Sequence, residues 1–200
     1  MDRTEANTGT REVSDRLRFD EVALAAWMGA HVEGSRGPLT ICQFKGGQSN
    51  PTYRIDAASG SYVLRRKPPG KLLPGAHAVD REYRVLAALG TQGFPVPRVY
   101  GLCEDESVIG TPFYVMDMVP GRIVWEAEFP GLTREQRAAH FDTMNATITQ
   151  LHSYDPETIG LGDYGKATGF VERQVARWSK QYLTDTDAGR VPAMDRLVDW

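Results

Sequence analysis

Cysteine is scarce in this chain. Only two of its 200 residues are cysteine, Cys42 and Cys103, far apart and without CxxC spacing. A disulfide framework is not expected, and a reducing compartment, the cytoplasm, fits best. Metal-binding strings are missing too. There is no HExxH and no Cys/His cluster, which removes the common metalloenzyme signatures. No apolar run is long enough to span a bilayer, so membrane insertion is not expected. A strong charge of one sign is also lacking. The net charge of −3 provides no general pull toward nucleic acid or an acidic membrane. What is present, 41% hydrophobic and 24% charged residues, suits a globular chain with a core. Residues 1–18 have few apolar positions, fit neither a signal nor a transit peptide, and are expected to form a mobile tail.

The chain is organised around Phe44-Lys45-Gly46-Gly47-Gln48-Ser49-Asn50-Pro51-Thr52-Tyr53-Arg54-Ile55. It reads as a strand, a glycine turn and a second strand. Paired glycines let a backbone approach a ligand closely, and Gln48, Ser49 and Asn50 are short hydrogen-bonders suited to phosphates. A Gly-Gly hairpin by itself is more often just an ordinary turn. Two sharper motifs are excluded. No G-x-x-x-x-G-K-[ST] string occurs. Gly47 to Pro51 falls one residue short of G-x-S-x-G, and a strand follows where that motif needs a helix, so Ser49 is not read as a hydrolase nucleophile.

Phe19–Val32 is expected as a helix capped by Asp20, with Leu24, Trp27, Met28 and His31 on one face. A third strand, Ser61–Lys67, places Val63, Arg65 and Lys67 on one side and Tyr62, Leu64 and Arg66 on the other. Its cations suit either a solvated edge strand or an inward Arg65 that holds phosphate or a carboxylate. His77–Leu89 is expected as a helix with Val79, Tyr83, Leu86 and Leu89 on its apolar arc. Glu82 lies inside that arc. Ala78, Val79, Val85 and Leu86 occupy the positions three and four away, so no local cation can pair with it. It needs a partner from another element, water or a proton, and Arg65 is the best candidate in sequence order.

Strands follow at Arg98–Cys103 and Phe113–Val119, joined by a turn at 104–110, and Pro120-Gly121 ends the sheet. Beyond Gly121 the pattern is helical. Thr133-Arg134-Glu135-Gln136 matches a capping box before a helix with Phe141, Met144, Ile148 and Leu151 on an expected buried face. Two more helices put Val171, Val175, Trp178 and Tyr182, then Met194 and Leu197, inward. The last stops at Trp200 without a cap or glycine, the pattern of a chain cut inside an element.

The strings FKGGQSNPTYRI, YVLRRKPPGKLLPGAHAVDREYRVL, FPVPRVYGLC, TPFYVMDMVPGR, LHSYD and RQVARWSKQY resemble the aminoglycoside phosphotransferase-like (choline kinase-like) family. Within it they are most similar to the kinase-like domains attached to some acyl-CoA dehydrogenases. The resemblance implies an α+β, protein kinase-like fold: an antiparallel five-stranded small lobe with a helix (19–120), then the first helices of a large lobe (121–200). It implies that Gly46, Gly47, Gln48, Ser49 and Asn50 cover ATP phosphates. Arg65 would replace the usual phosphate-binding lysine, with Glu82 as its helix partner. Met116 would border adenine, and the backbone of Asp117 and Val119 would bond its edge.

The family's base and Mg²⁺ ligands belong to an H-G-D-x-x-x-x-N loop and a later Asp. None of His31, His77, His140 or His152 precedes Gly-Asp or Arg-Asp. The resemblance therefore implies the nucleotide-binding half of a longer kinase, inactive as residues 1–200 alone. Its partners would be ATP, Mg²⁺ held elsewhere, and a small-molecule hydroxyl acceptor, a hydroxyacyl thioester being favoured. A non-catalytic nucleotide- or acyl-binding module on the same scaffold is the alternative.

Overall fold

A computed structural model describes residues 7–46, 49–70, 77–166, 168–185 and 189–200. The chain divides into two compact units, 1–161 and 162–200. Among the described residues, the first unit holds one antiparallel sheet of six strands: β1 (Thr10–Arg11), β2 (Thr40–Phe44), β3 (Thr52–Ala57), β4 (Gly60–Arg66), β5 (Val99–Cys103) and β6 (Phe113–Asp117). Their spatial order is β1-β2-β3-β4-β6-β5.

The expected α+β class and antiparallel sheet are found, with one strand more than the five expected. Thr10 and Arg11 pair with Phe44 and Gln43. The described part of the stretch expected to be a mobile tail is thus tied down. The Ser14 amide donates to Gln43 Oε1 at 3.3 Å, and the Tyr53 hydroxyl donates to the Leu17 carbonyl at 3.1 Å. The physical reason is the open edge of β2, whose backbone groups need partners. Two polar residues suffice to supply them, and so short a strand leaves no hydrophobic alternation to read.

β4 is not an edge strand, since β3 and β6 flank it. Its alternation sorts side chains onto two buried surfaces. On one, Tyr62 and Leu64 join Tyr53, Ile55, Phe113 and Val115 in the main core. Arg66 is on that side too, only 2% exposed. It donates to the Ile109 carbonyl at 3.3 Å and lies over the rings of Phe19 and Tyr53, 5.2 and 5.9 Å from their centroids. These contacts offset part of its desolvation cost.

Helix α1 (Glu21–His31) covers this core. Asp20 caps it as expected, accepting from the amides of Val22 and Ala23, each at 2.9 Å. Leu24 and Met28 are fully buried, and each such side chain stabilises the fold by about 1.5–3 kcal/mol. Trp27 packs edge-on against Phe113 at 4.8 Å. A Cβ on Gly101 would come 3.1 Å from the Trp27 ring, so a larger residue there would require the ring to give by a few tenths of an ångström.

Helix α2 (Val79–Thr91) belongs to the other surface, with Tyr83 6.2 Å from Tyr114 of β6. It starts two residues later than expected because His77 has a φ of 58°, outside the right-handed helical region. The expected turn at 104–110 contains a short helix, α3 (Glu106–Ile109), capped by Asp105.

The Thr133–Gln136 capping box is present and starts α4 (Arg134–Ser153). Its apolar face is not buried: Phe141, Met144, Ile148 and Leu151 are 40–48% exposed. In the second unit, α5 (Phe170–Thr184) and α6 (Pro192–Val198) are joined by Tyr182, whose hydroxyl donates to Asp195 Oδ1 at 2.8 Å and accepts from the Val191 amide at 2.9 Å. Val171, Val175, Trp178, Met194 and Leu197 are likewise exposed rather than buried. Helical spacing dictates which side is apolar, but burial needs a second surface, and within its own unit each of these faces stays largely open.

Candidate functional site

The site lies on the sheet face opposite α1. Val63 stands across from Met116, and Arg65 across from Tyr114. Alternation adds Phe44 from β2 and Thr52 from β3. Between Phe44, Thr52, Val63, Met116 and the segment 117–123 there is a cavity of about 410 Å³, a size common for small-molecule sites. Its walls are mostly apolar.

Asp117 turns its carboxylate away to accept from the Tyr100 hydroxyl at 2.5 Å. That bond, and then burial, push the Tyr100 phenol up to about 12. The Asp117 amide donates to the Arg98 carbonyl at 2.8 Å, so a contact from Asp117 to a ligand edge must come from its carbonyl. Val119 lies at the cavity rim, 60% exposed.

Two residues beyond Val63 on the same face, Arg65 meets Glu82. Arg65 Nε is 2.6 Å from Glu82 Oε2, off the N–H axis, and Nη2 donates to Oε1 at 3.4 Å. Both side chains keep about a third of their surface, 29% and 36%, so the carboxylate is half-buried rather than sealed. It has two further donors. Asn50 Nδ2 reaches Oε1 at 3.0 Å, and the Tyr114 hydroxyl reaches Oε2 at 3.1 Å. Burial, reinforced by the Glu82 charge, holds the Tyr114 phenol well above its ordinary pKa and keeps it a donor. Asn50 is 2% exposed, and its Oδ1 accepts from His77 Nδ1 at 2.7 Å. Loop, helix entry, α2, β4 and β6 thus meet at one carboxylate.

The structure therefore brings Arg65, Glu82 and Asn50 together, and places Met116, Asp117 and Val119 around the adjoining cavity. Asn50 spends its side chain on Glu82 and His77 instead of the open turn, whereas Ser49 is exposed. Gly46 passes close to the N-terminal segment, where an added Cβ would lie 3.3 Å from the Asn7 carbonyl oxygen. Gly47 and Gln48 lie outside the described residues. Sequence reasoning missed His77 and Tyr114. Tyr114 could have been found from the strand pairing opposite Arg65; the His77 contact depends on a backbone twist that no spacing rule reports.

The model of the phosphotransferase enzyme family matches residues 40–200. The chain belongs to this family. A crystal structure from Ralstonia eutropha, provisionally assigned as an aminoglycoside phosphotransferase, is 49% identical, with a TM-score of 0.75, over 92% of this chain and 53% of that one. The protein kinase-like α+β fold is thereby shown. The chain is also 43% identical to mouse acyl-CoA dehydrogenase family member 11, over 98% of its own length and 26% of that protein's. Mouse family member 10 is 43% identical over 96% of this chain and 18% of that protein. This phosphotransferase-family chain thus spans about a quarter or less of these curated relatives. Among the described residues no helix is long and apolar enough to cross a membrane.

Proposed function

We propose that this chain carries the ATP-binding part of a small-molecule kinase acting on a hydroxyl acceptor. One observation carries the reading: an apolar cavity and an Arg65–Glu82 pair adjoin on one sheet face. Adenine would lie between Phe44, Val63 and Met116, with its edge at the Asp117 carbonyl and the Val119 amide. The phosphates would extend toward Arg65 under residues Gly46 to Asn50. Phosphoryl transfer depends on positioning and on neutralising charge, and a forked, permanently charged arginine suits phosphate oxygens. On this reading the small lobe spans 19–120 and the large lobe begins at 121.

Bound Mg²⁺ would neutralise phosphate charge. Among the described residues no group of three His, Cys, Asp or Glu side chains could hold a metal ion, so no step here is assigned to one. Transfer itself belongs to a longer chain. The similarity to acyl-CoA dehydrogenase family members favours a hydroxyacyl thioester as acceptor.

Calorimetric titration with ATP tests the reading. Arg65→Ala, confirmed folded by circular dichroism, should weaken binding by at least about tenfold, as expected for loss of a charge-assisted contact. Unchanged affinity would remove Arg65 from the site. Nucleotide binding without phosphate transfer by the longer protein would leave a binding module on a kinase-like scaffold.

A further inference from the structure

We propose that the opposite face of the same sheet carries a second binding site, for a small molecule bearing a phosphate or pyrophosphate group. A cavity of about 550 Å³ opens there. Arg11 stands across from Gln43 in the β1–β2 pair, and cross-strand partners share a face. Lys45, two residues further on, continues that face, and Arg16 reaches in from the turn at Asp15–Leu17. Among the described residues, three cationic side chains line the cavity and no acidic one does. Asp15, beside Arg16 in the chain, is engaged by Arg18 at 3.0 Å.

Gln43 makes this more than a solvated basic patch. It is 6% exposed, so its amide is fixed rather than floating in water. Its Oε1 is taken by the Ser14 amide and hydroxyl, at 3.3 and 3.4 Å. What the side chain still offers the cavity is the donor end, Nε2. Arg11, Arg16 and the Gln43 amide are therefore arranged to donate, which selects an anion over a cation. Leu17, Pro51, Pro68 and Pro69 form the apolar part of the wall. Rigid apolar walls beside a donor cluster fit an organic group attached to a phosphate. Pro51, Lys45 and Gly46 are also the two ends of the glycine turn, so an occupant would touch the turn from behind.

The site can be tested apart from the ATP reading because its cations and Gln43 lie on the other face and of the turn residues only Gly46 is shared. Inorganic pyrophosphate is the probe, followed by calorimetry and by the ¹H–¹⁵N resonances of the Gln43 side-chain amide. Pyrophosphate should shift that amide in the native chain. The double variant R11Q/R16Q removes two exposed cations and should weaken binding at least tenfold. Arg65→Ala should leave the Gln43 response unchanged. An amide that fails to move, that moves equally in the double variant, or that stops moving only in Arg65→Ala would each overturn the proposal.

Discussion

The sheet with its covering helix α1 and the three later helices α4, α5 and α6 present the same kind of apolar periodicity, yet they differ in what becomes of it. In the sheet and its covering helix α1, Leu24, Ile55, Leu64, Phe113 and Val115 are all completely buried. In α4 and α5, Phe141 and Trp178, at equally regular spacing, are 46% and 56% exposed. Period and propensity are local properties; burial is a relation between two surfaces. The contrast shows where stability resides and where side chains remain available.

The sharpest way to break this contrast is to truncate one aromatic on each side. Phe113→Ala should cost about 3–5 kcal/mol, as expected for a large buried ring. Trp178→Ala should cost under about 1 kcal/mol, as for a surface position. Urea denaturation followed by circular dichroism compares them, and similar losses would mean the exposed face is packed in solution. Next in size is Glu82→Ala, which strands Arg65, Asn50 and Tyr114 together. A loss of about 1–3 kcal/mol is expected, the range for partly buried polar groups left unpaired, along with weaker ATP binding by calorimetry. An effect on neither would mean solvent satisfies these groups.

His77→Ala should cost less, about 0.5–1.5 kcal/mol, the worth of one hydrogen bond, because it frees only Asn50 Oδ1. A thermal melt matching the parent's would show that the ring does not restrain the turn. An effect of a different kind, seen only at high pH, concerns Tyr100. Its folded pKa, raised to about 12, exceeds the unfolded value of about 10. The native state therefore holds the proton more tightly. The resulting stability is complete below about pH 10 and is lost as pH rises through about 12. Tyr100→Phe should flatten this part of the stability curve, and an identical slope between pH 9 and 11 would contradict the assignment.

Much of the site could be read from the sequence for a specific reason. Glu82 occupies an apolar arc with no cation three or four positions away, so its partner had to come from elsewhere, and the preceding strand provides Arg65. The strands were visible through alternation and the α1 start through Asp20. Other features depend on contacts that local pattern does not encode. Thr10 and Arg11 form a strand because β2 has an open edge, and Asn50 turns inward because His77 and Glu82 receive it. The exposed faces of α4, α5 and α6 read as buried because spacing alone cannot reveal the missing cover.

Each of the two oxygens of Glu82 has two contacts, one from the arginine and one from elsewhere. Oε1 has Asn50 as well as Arg65, and Oε2 has Tyr114 as well as Arg65. If the guanidinium swings toward an incoming anion, neither oxygen is orphaned, and α2 need not follow it. The arginine is thus on a loose leash, held at rest by an acid that can stand without it.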